Sequence, residues 1–209
     1  MKHYDNHEIE NGLYEEGFER IAGTDEVGRG PLAGPVVAAC VIMPKGCEIE
    51  GVTDSKKVTL KNRLILSEII KEKALAYSII FIDEAKIDEI NILEASRLAM
   101  YNAVASLKIT PDYLLADAMD LNIDIPYSKL IKGDERSFTI ACASILAKVA
   151  RDEYMDKLHE QYPEYDFINN KGYGTKKHLE GLKKYGASPV HRKCYAPVKA
   201  EIAAGNIRK

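Results

Sequence analysis

Residues 21–39 read Ile21-Ala22-Gly23-Thr24-Asp25-Glu26-Val27-Gly28-Arg29-Gly30-Pro31-Leu32-Ala33-Gly34-Pro35-Val36-Val37-Ala38-Ala39. A strand over 21–27 runs into a Gly/Pro-rich link, and a second apolar strand over 36–43 is closed by Pro44 and Gly46. Two strands joined this way predict an antiparallel pair. The first strand carries two acids at its end, Asp25 and Glu26. Neighbouring side chains on a strand point to opposite faces, so these two converge only if the strand ends or distorts there.

Outward from this pair, 60–73 is predicted as a helix capped by Thr59, with Leu64, Ile65, Ile69 and Ile70 at helical spacing. A strand over 76–82 precedes a helix from about 88 to 107, whose later apolar face is marked by Leu98, Tyr101, Val104 and Leu107. A short strand over 113–116 ends at Asp117, and 129–131 is a fifth candidate strand before Gly133-Asp134. Residues 139–161 form a helix whose Ala-rich early turns suit close packing on a sheet. A further helix over 175–185 is ended by Gly186. Residues 1–19 give a short helix or irregular chain, and the last twenty residues carry weak signals. The order predicts a mixed α/β sheet, not a regular parallel one.

The chain has 209 residues and 23.3 kDa, of which 46% are hydrophobic and 29% charged. That balance excludes collagenous, mucin-like and wholly disordered classes. The apolar runs are about half the length that spans a bilayer, and the N-terminus lacks a basic-then-apolar signal pattern. A soluble, non-secreted, cytoplasmic protein is expected. Cys40, Cys47, Cys142 and Cys194 have no metal-ligand spacing and read as isolated thiols. Net charge is -3, but residues 165–199 hold eight Lys and Arg against two acids. Such a stretch suits a polyanion; a solvated helical face is the equal alternative.

Asp25, Glu26, Asp117 and Asp134 all fall at strand ends, where a sheet rim assembles a site from distant segments. Carboxylates without His or Cys ligands suit a hard cation such as Mg²⁺ or Mn²⁺, which would remove their mutual repulsion. Turn residues and solvated ends are the plain alternative, and Asp120, Asp124, Glu135 and Asp152 compete on spacing alone. Gly28-Arg29-Gly30 is neither a dinucleotide fingerprint nor a Walker loop. It is a tight turn or a backbone surface open to a phosphate or sugar.

These blocks together resemble the type 2 ribonucleases H, the ribonuclease HII family. Residues 24–39 look like its opening motif, and Asp54-Ser55-Lys56-Lys57 resembles its phosphate-contacting loop. Leu115-Ala116-Asp117 stands in the place of its third acid. Ile131-Lys132-Gly133-Asp134, followed by 143–149 and Arg151-Asp152, resembles the fourth-acid block and its helix. Gly172-Tyr173-Gly174-Thr175, His178, Gly186, Ser188-Pro189 and His191-Arg192 match the C-terminal block. The resemblance covers about residues 18–199.

It implies an RNase H-like fold: a five-stranded mixed sheet flanked by helices, with a small helical C-terminal extension. The implied parts are an acidic extension (1–19), a catalytic core (20–162) and a basic helical substrate-binding part (163–209). Asp25, Glu26, Asp117 and Asp134 would be the catalytic metal ligands for two Mg²⁺ or Mn²⁺ ions, with Asp152 left structural. Gly28, Arg29, Gly30, Ser55, Lys56, Lys57, Tyr173 and Arg192 would bind substrate. The glycine link would read a 2′-hydroxyl, Tyr173 would pack on the adjacent deoxyribose, and Lys176 and Lys177 are further phosphate candidates. Taken alone, Tyr173 is more often a half-buried core tyrosine, and His178 and His191 suit helix packing or capping more than a contact with the nucleic-acid backbone.

The implied reaction is hydrolysis of RNA paired with DNA, with cutting 5′ of an embedded ribonucleotide to leave 5′-phosphate and 3′-hydroxyl ends. The expected partner is an RNA–DNA hybrid or a ribonucleotide-containing duplex. The protein is expected to be a monomer, with no membrane contact and no evident sliding-clamp motif. The type 3 relatives carry a sizeable N-terminal domain, and the twenty or so residues before the motif are too few for one. This chain departs from the family at Ala118, where many members have glycine. A junction-cleaving or integrase-like nuclease, a non-catalytic hybrid-binding module and a cation-binding regulatory domain are the rivals. Cutting of branched all-DNA would favour the first, and binding without cutting the second. The third lacks an EF-hand loop.

Overall fold

A computed structural model describes residues 6–52 and 58–208. Five strands form one sheet of order β3-β2-β1-β4-β5: β1 Ile21–Val27, β2 Val36–Ile42, β3 Ala76–Ile82, β4 Tyr113–Asp117 and β5 Tyr127–Leu130. The expected antiparallel pair is present, with Asp25 opposite Ala39 and Val27 opposite Val37. β1 also pairs in parallel with β4, and β4 in parallel with β5. The sheet is therefore mixed, with β1 at its centre. The fifth strand lies earlier than 129–131, and Ile131 is left exposed beyond it.

The helices are α1 Glu8–Glu15, α2 Leu60–Lys73, α3 Glu84–Ala105, α4 Gly133–Arg136, α5 Phe138–Gln161, α6 Phe167–Asn170, α7 Lys176–Tyr185 and α8 Ala196–Ala203. Thr59 caps α2 by accepting the Asn62 amide, and Thr175 caps α7 by accepting that of His178. Two apolar faces differ from expectation. In α2 the buried positions are Leu66, Ser67 and Ile70, while Leu64 and Ile65 are exposed. In α3 the buried stripe is Ala95, Ala99, Met100, Ala103 and Val104, with Tyr101 exposed. α3 is also interrupted at Asn91 (φ 68°). There the side-chain oxygen accepts the Leu93 and Glu94 amides and starts the helix afresh.

The chain divides into two compact units. One holds the chain up to Val27, Val37–Ile80 and Arg97–Val149; the other holds Gly28–Val36, Phe81–Ser96 and the chain from Ala150. The two units alternate along the chain. In the first, β2 is buried at every position, as expected of a strand covered on both faces. Val37, Ala39, Val41 and Met43 pack with Leu66 and Ile70 of α2 and with Phe138, Ala141, Cys142 and Ile145 of α5.

The α5 backbone lies close on the sheet because β1 offers no side chain at Gly23. A Cβ there would stand 2.4 Å from the Thr139 carbonyl carbon and 2.5 Å from the Ile140 nitrogen. The Ala-rich turns of α5 serve this close approach. Helix α1 closes the start of α5. The Asn6 carbonyl accepts the Phe138 amide at 2.6 Å, and Glu10 Oε1 accepts the Thr139 amide at 2.9 Å. Ser137 Oγ accepts the Ile140 amide at 3.1 Å while donating to Glu10 at 2.6 Å. With the Ser137 amide on the Gly133 carbonyl at 2.8 Å, all four amides that a helix start leaves open are satisfied.

In the second unit, Ala33, Met155, Leu158, Tyr165 and Phe167 form one cluster; Leu32, Leu182, Ala187 and Val198 form another. Among the described residues, no helix is long and apolar enough to cross a membrane.

Candidate active site

The first unit brings the four acids to one end of three neighbouring segments. β1 and β4 run in parallel register through Thr24 and Ala116, so Asp25 and Asp117 come next on adjacent strands. β5 leads through the left-handed Lys132 (φ 56°) into α4, whose first turn carries Asp134. The turn is tied back to β4, since the Gly133 amide donates to Asp117 Oδ1 at 2.6 Å. A side chain at Gly133 would collide: its Cβ would stand 2.6 Å from Ile140 Cδ1 and 3.0 Å from Asp117 Oδ1. Ala118, in place of the family's glycine, adopts φ 46°. The backbone turns there as a glycine would, and its amide still reaches the Leu130 carbonyl at 2.9 Å.

β1 does not end at Asp25, contrary to the expected distortion. Its register is unbroken through Val27, and Asp25 Oδ1 accepts the Glu26 amide at 2.7 Å. Asp25 and Asp134 are buried and Glu26 and Asp117 half-buried. Burial, then the charges of Glu26 and Asp117, and last that of Asp134, push the Asp25 carboxyl well above the usual carboxylate range. A hydrogen bond with Ser144 of α5 opposes the rise. Ser144 is a site residue that sequence reasoning passed over within its helix block; a buried hydroxyl facing the sheet was the available signal.

The donor set is oxygen only, which suits a hard divalent cation. A cation would also relieve the repulsion that Asp25 registers. Among the described residues, no group of three or more His, Cys, Asp or Glu side chains forms a ready-made ion site. The four acids share an electrostatic field without a closed coordination shell.

The substrate-side candidates Gly28, Arg29, Gly30, Tyr173 and Arg192 lie in the second unit. Gly28 has φ +96°, and a Cβ on it would meet Arg151 Nε at 2.3 Å, so glycine is required. Arg29 and Gly30 are exposed. The Tyr173 ring, also exposed, lies beside Gly30, with Cε1 3.3 Å from where a Cβ would be. Arg192 differs from expectation. It is fully buried, and its guanidinium donates to the carbonyls of Gly28, Arg29 and Gly34. It has no surface to offer a phosphate. Lys176 is exposed, and Lys177 pairs with Asp166 at 2.9 Å. Ser55, Lys56 and Lys57 lie outside the described residues.

The two histidines form a directed relay beneath Tyr173. His191 Nδ1 accepts the Ser188 amide at 3.1 Å, which leaves its proton on Nε2. Nε2 stands 3.1 Å from His178 Nε2 and donates to it; His178 Nδ1 then donates to the Tyr173 carbonyl at 2.9 Å. Both rings are neutral in this arrangement. Burial lowers His178, and burial, with the repulsion His178 would exert if protonated, holds His191 down to about 3.

A mixed sheet of this order, with acids gathered at one end of its central strands, defines a nuclease of the ribonuclease H-like class. The family model for ribonuclease HII matches residues 22–198. The chain is 53% identical over 195 residues to the ribonuclease HII of Enterococcus faecalis (strain ATCC 700802 / V583), covering 93% of this chain and 76% of that one. Among solved structures it resembles the ribonuclease H2 of Pyrococcus horikoshii OT3 (TM-score 0.76, 26% identity, 88% of this chain and 98% of that one). It also resembles a chain of the PCNA:RNase HII complex from Archaeoglobus fulgidus (TM-score 0.71, 25% identity, 84% and 95%). The chain belongs to the ribonuclease HII family and is a hydrolase acting as a nuclease.

Proposed function

We propose that this protein hydrolyses the RNA strand of RNA–DNA hybrids and cuts on the 5′ side of ribonucleotides embedded in duplex DNA, leaving 5′-phosphate and 3′-hydroxyl ends. The observation that carries the reading is the Asp25 carboxyl. It sits at the centre of the sheet, pushed up first by its burial and then by the charges of three further acids that arrive from β1, β4 and α4. A purely structural site has little reason to gather four carboxylates in one place, because their repulsion is costly.

Asp25, Glu26, Asp117 and Asp134 would hold two Mg²⁺ or Mn²⁺ ions. Such ions, when bound, neutralise charge at the scissile phosphate and lower the pKa of an attacking water. The Gly133 amide orients Asp117, and Ser144 orients Asp25. Selectivity for a ribonucleotide needs contact with its 2′-hydroxyl. The exposed Arg29–Gly30 backbone supplies polar groups for that contact, with the Tyr173 ring beside it as a stacking surface for the sugar. Lys176 and its neighbours on α7 add positive charge that positions a duplex without reading its sequence.

The test is a DNA duplex containing one ribonucleotide, incubated with Mg²⁺ and the products mapped at single-nucleotide resolution. A cut 5′ of the ribonucleotide, absent in EDTA and absent from the all-DNA duplex, is expected. Cutting of branched all-DNA at a comparable rate would overturn the reading.

A further inference from the structure

Two buried arginines hold the link between β1 and β2. Arg192 Nη2 donates to the Gly28 carbonyl at 2.6 Å, Nη1 to that of Arg29 at 3.1 Å, and Nε to that of Gly34 at 2.9 Å. Arg151 donates through Nε to Pro35 at 3.0 Å and through Nη2 to Ala33 at 3.3 Å. The Tyr195 hydroxyl donates to the Arg29 carbonyl as well and accepts from Arg192 Nη1 at 3.0 Å. Five carbonyls of one short loop are thus turned inward.

The peptide group is planar and trans, so each carbonyl points opposite to the amide that follows it. With the Gly28 carbonyl on Arg192, the Arg29 N–H faces away from Arg192. With the Arg29 carbonyl on Arg192 and Tyr195, the Gly30 N–H faces away too. Both amides therefore face away from the buried Arg192 fork, in a segment where Arg29 and Gly30 are exposed. Two successive outward amides make a site for an electronegative oxygen.

We propose that Arg192, seconded by Tyr195, is a positioning residue for 2′-hydroxyl recognition: it pins the Gly28 and Arg29 carbonyls and so presents the Arg29 and Gly30 amides to the ribose. The assignment rests on the ribonucleotide-reading function proposed above. It explains why an arginine is used. Three of its nitrogens meet three carbonyls from one planar fork, which a lysine ammonium cannot match. A guanidinium buried to 0% exposure persists only because its donors are satisfied. Glu84, itself buried, contributes the opposing charge.

The test separates this role from a phosphate contact and from bare scaffolding. Arg192→Lys and Tyr195→Phe are made in the full chain carrying Asp117→Asn, which suppresses cutting. Affinity is measured with Mg²⁺ for a duplex with one ribonucleotide and for the same duplex in all-DNA form, across a salt series, with melting temperatures beside them. The parent is expected to bind the ribonucleotide duplex more tightly. The variants are expected to lose about five- to tenfold of that preference, the scale of one hydrogen bond, while all-DNA affinity and its salt slope stay unchanged. Tyr195→Phe keeps its ring beneath Arg192, so it decides the matter if Arg192→Lys does not fold. Equal loss on both duplexes, with the salt slope reduced by about one, would make Arg192 a phosphate contact and overturn the proposal. An unchanged preference in a folded variant would overturn it too. A parent that binds both duplexes equally would refute hydroxyl reading itself, and this assignment with it.

Discussion

Gly133→Ala adds one methyl group where the α4 turn meets both Asp117 and α5. The backbone at Gly133 is not left-handed, so alanine is conformationally acceptable, and helix propensity alone would favour it by about 1 kcal/mol. Sterics oppose it. The new Cβ would stand 2.6 Å from Ile140 Cδ1 and 3.3 Å from its Cγ2. Ile140 is fully buried among Ile21, Leu115 and Leu130 and has little room to turn. An ordinary carbon–carbon contact is about 3.5–4 Å, so the turn must retreat by roughly 1 Å. That retreat stretches the 2.6 Å bond from the Gly133 amide to Asp117 towards its limit and carries Asp134 with it. Overpacking costs about 1–3 kcal/mol, so after the propensity gain the net loss of stability is about 0–2 kcal/mol. A displacement of about 1 Å in a catalytic constellation costs on the order of a hundredfold in rate. The assay is kcat on a single-ribonucleotide duplex at saturating Mg²⁺, with the melting temperature alongside. A near-native melting temperature with kcat down by about two orders of magnitude is expected. Full activity in the variant would refute the view that this turn rigidly sets the Asp117–Asp134 geometry.

Ala118→Gly relieves a left-handed residue at φ 46°. The relief of about 1–2 kcal/mol exceeds glycine's entropic cost of about 0.5–1 kcal/mol, so a thermal melt should shift up by a few degrees; a downward shift contradicts the reading. Glu10→Ala removes the acceptor for Ser137 Oγ and the Thr139 amide. It should cost about 2–4 kcal/mol in urea unfolding, and a midpoint unchanged from the parent would show that α1 does not hold α5. For the histidine relay, the unfolded chain takes a proton near 6.5, whereas folded His191 takes one only near 3. The unfolded state therefore binds more protons between these values, and stability falls as pH falls below 6.5. At 1.36 kcal/mol per unit, His191 alone accounts for about 2 kcal/mol between pH 6.5 and 5.0, and His178, lowered by burial, acts in the same direction. Urea midpoints at pH 7.5 and 5.0 should show this loss, and His191→Gln should reduce it; an equal loss in that variant would contradict the neutral relay.

The elements whose character is local were legible in the sequence. β1 and β3 fall where their apolar runs put them, and Thr59 caps the helix it precedes. Asp117 at the end of β4 was legible because a break in composition marks that strand, whereas β1 runs on past Asp25 and Asp134 lies in the first turn of α4. Facing was not. Leu64 and Ile65 share helical spacing with Ile69 but lie outward, because burial in α2 is decided by where β2 and α5 stand. Asn91 breaks α3 through its own side chain, a choice that a mid-helix asparagine does not announce. α8 escaped notice because proline at its first turn follows a stretch with weak periodicity. Arg192 looked like a surface cation beside Lys193. Its burial depends on carbonyls more than 150 residues away in the chain, as the Gly28 and Arg29 contacts make plain. Glu10 and Ser144 act at similarly long range, on partners that no spacing within their own helices reveals.

The central claim is that Asp25, Glu26, Asp117 and Asp134 carry divalent-ion-dependent cutting at a ribonucleotide. Its most direct test is the single-turnover rate on a single-ribonucleotide duplex across a Mn²⁺ titration, for the parent and for Asp117→Asn. Asp117→Asn keeps the size of the side chain and an acceptor for the Gly133 amide while removing the charge. The account predicts metal-dependent cutting 5′ of the ribonucleotide in the parent, and a loss of at least about a thousandfold in a variant that melts no lower, on the scale seen when transition-state charge stabilisation is removed. Cutting by folded Asp117→Asn at the parental rate, or cutting by the parent in excess EDTA, would contradict it.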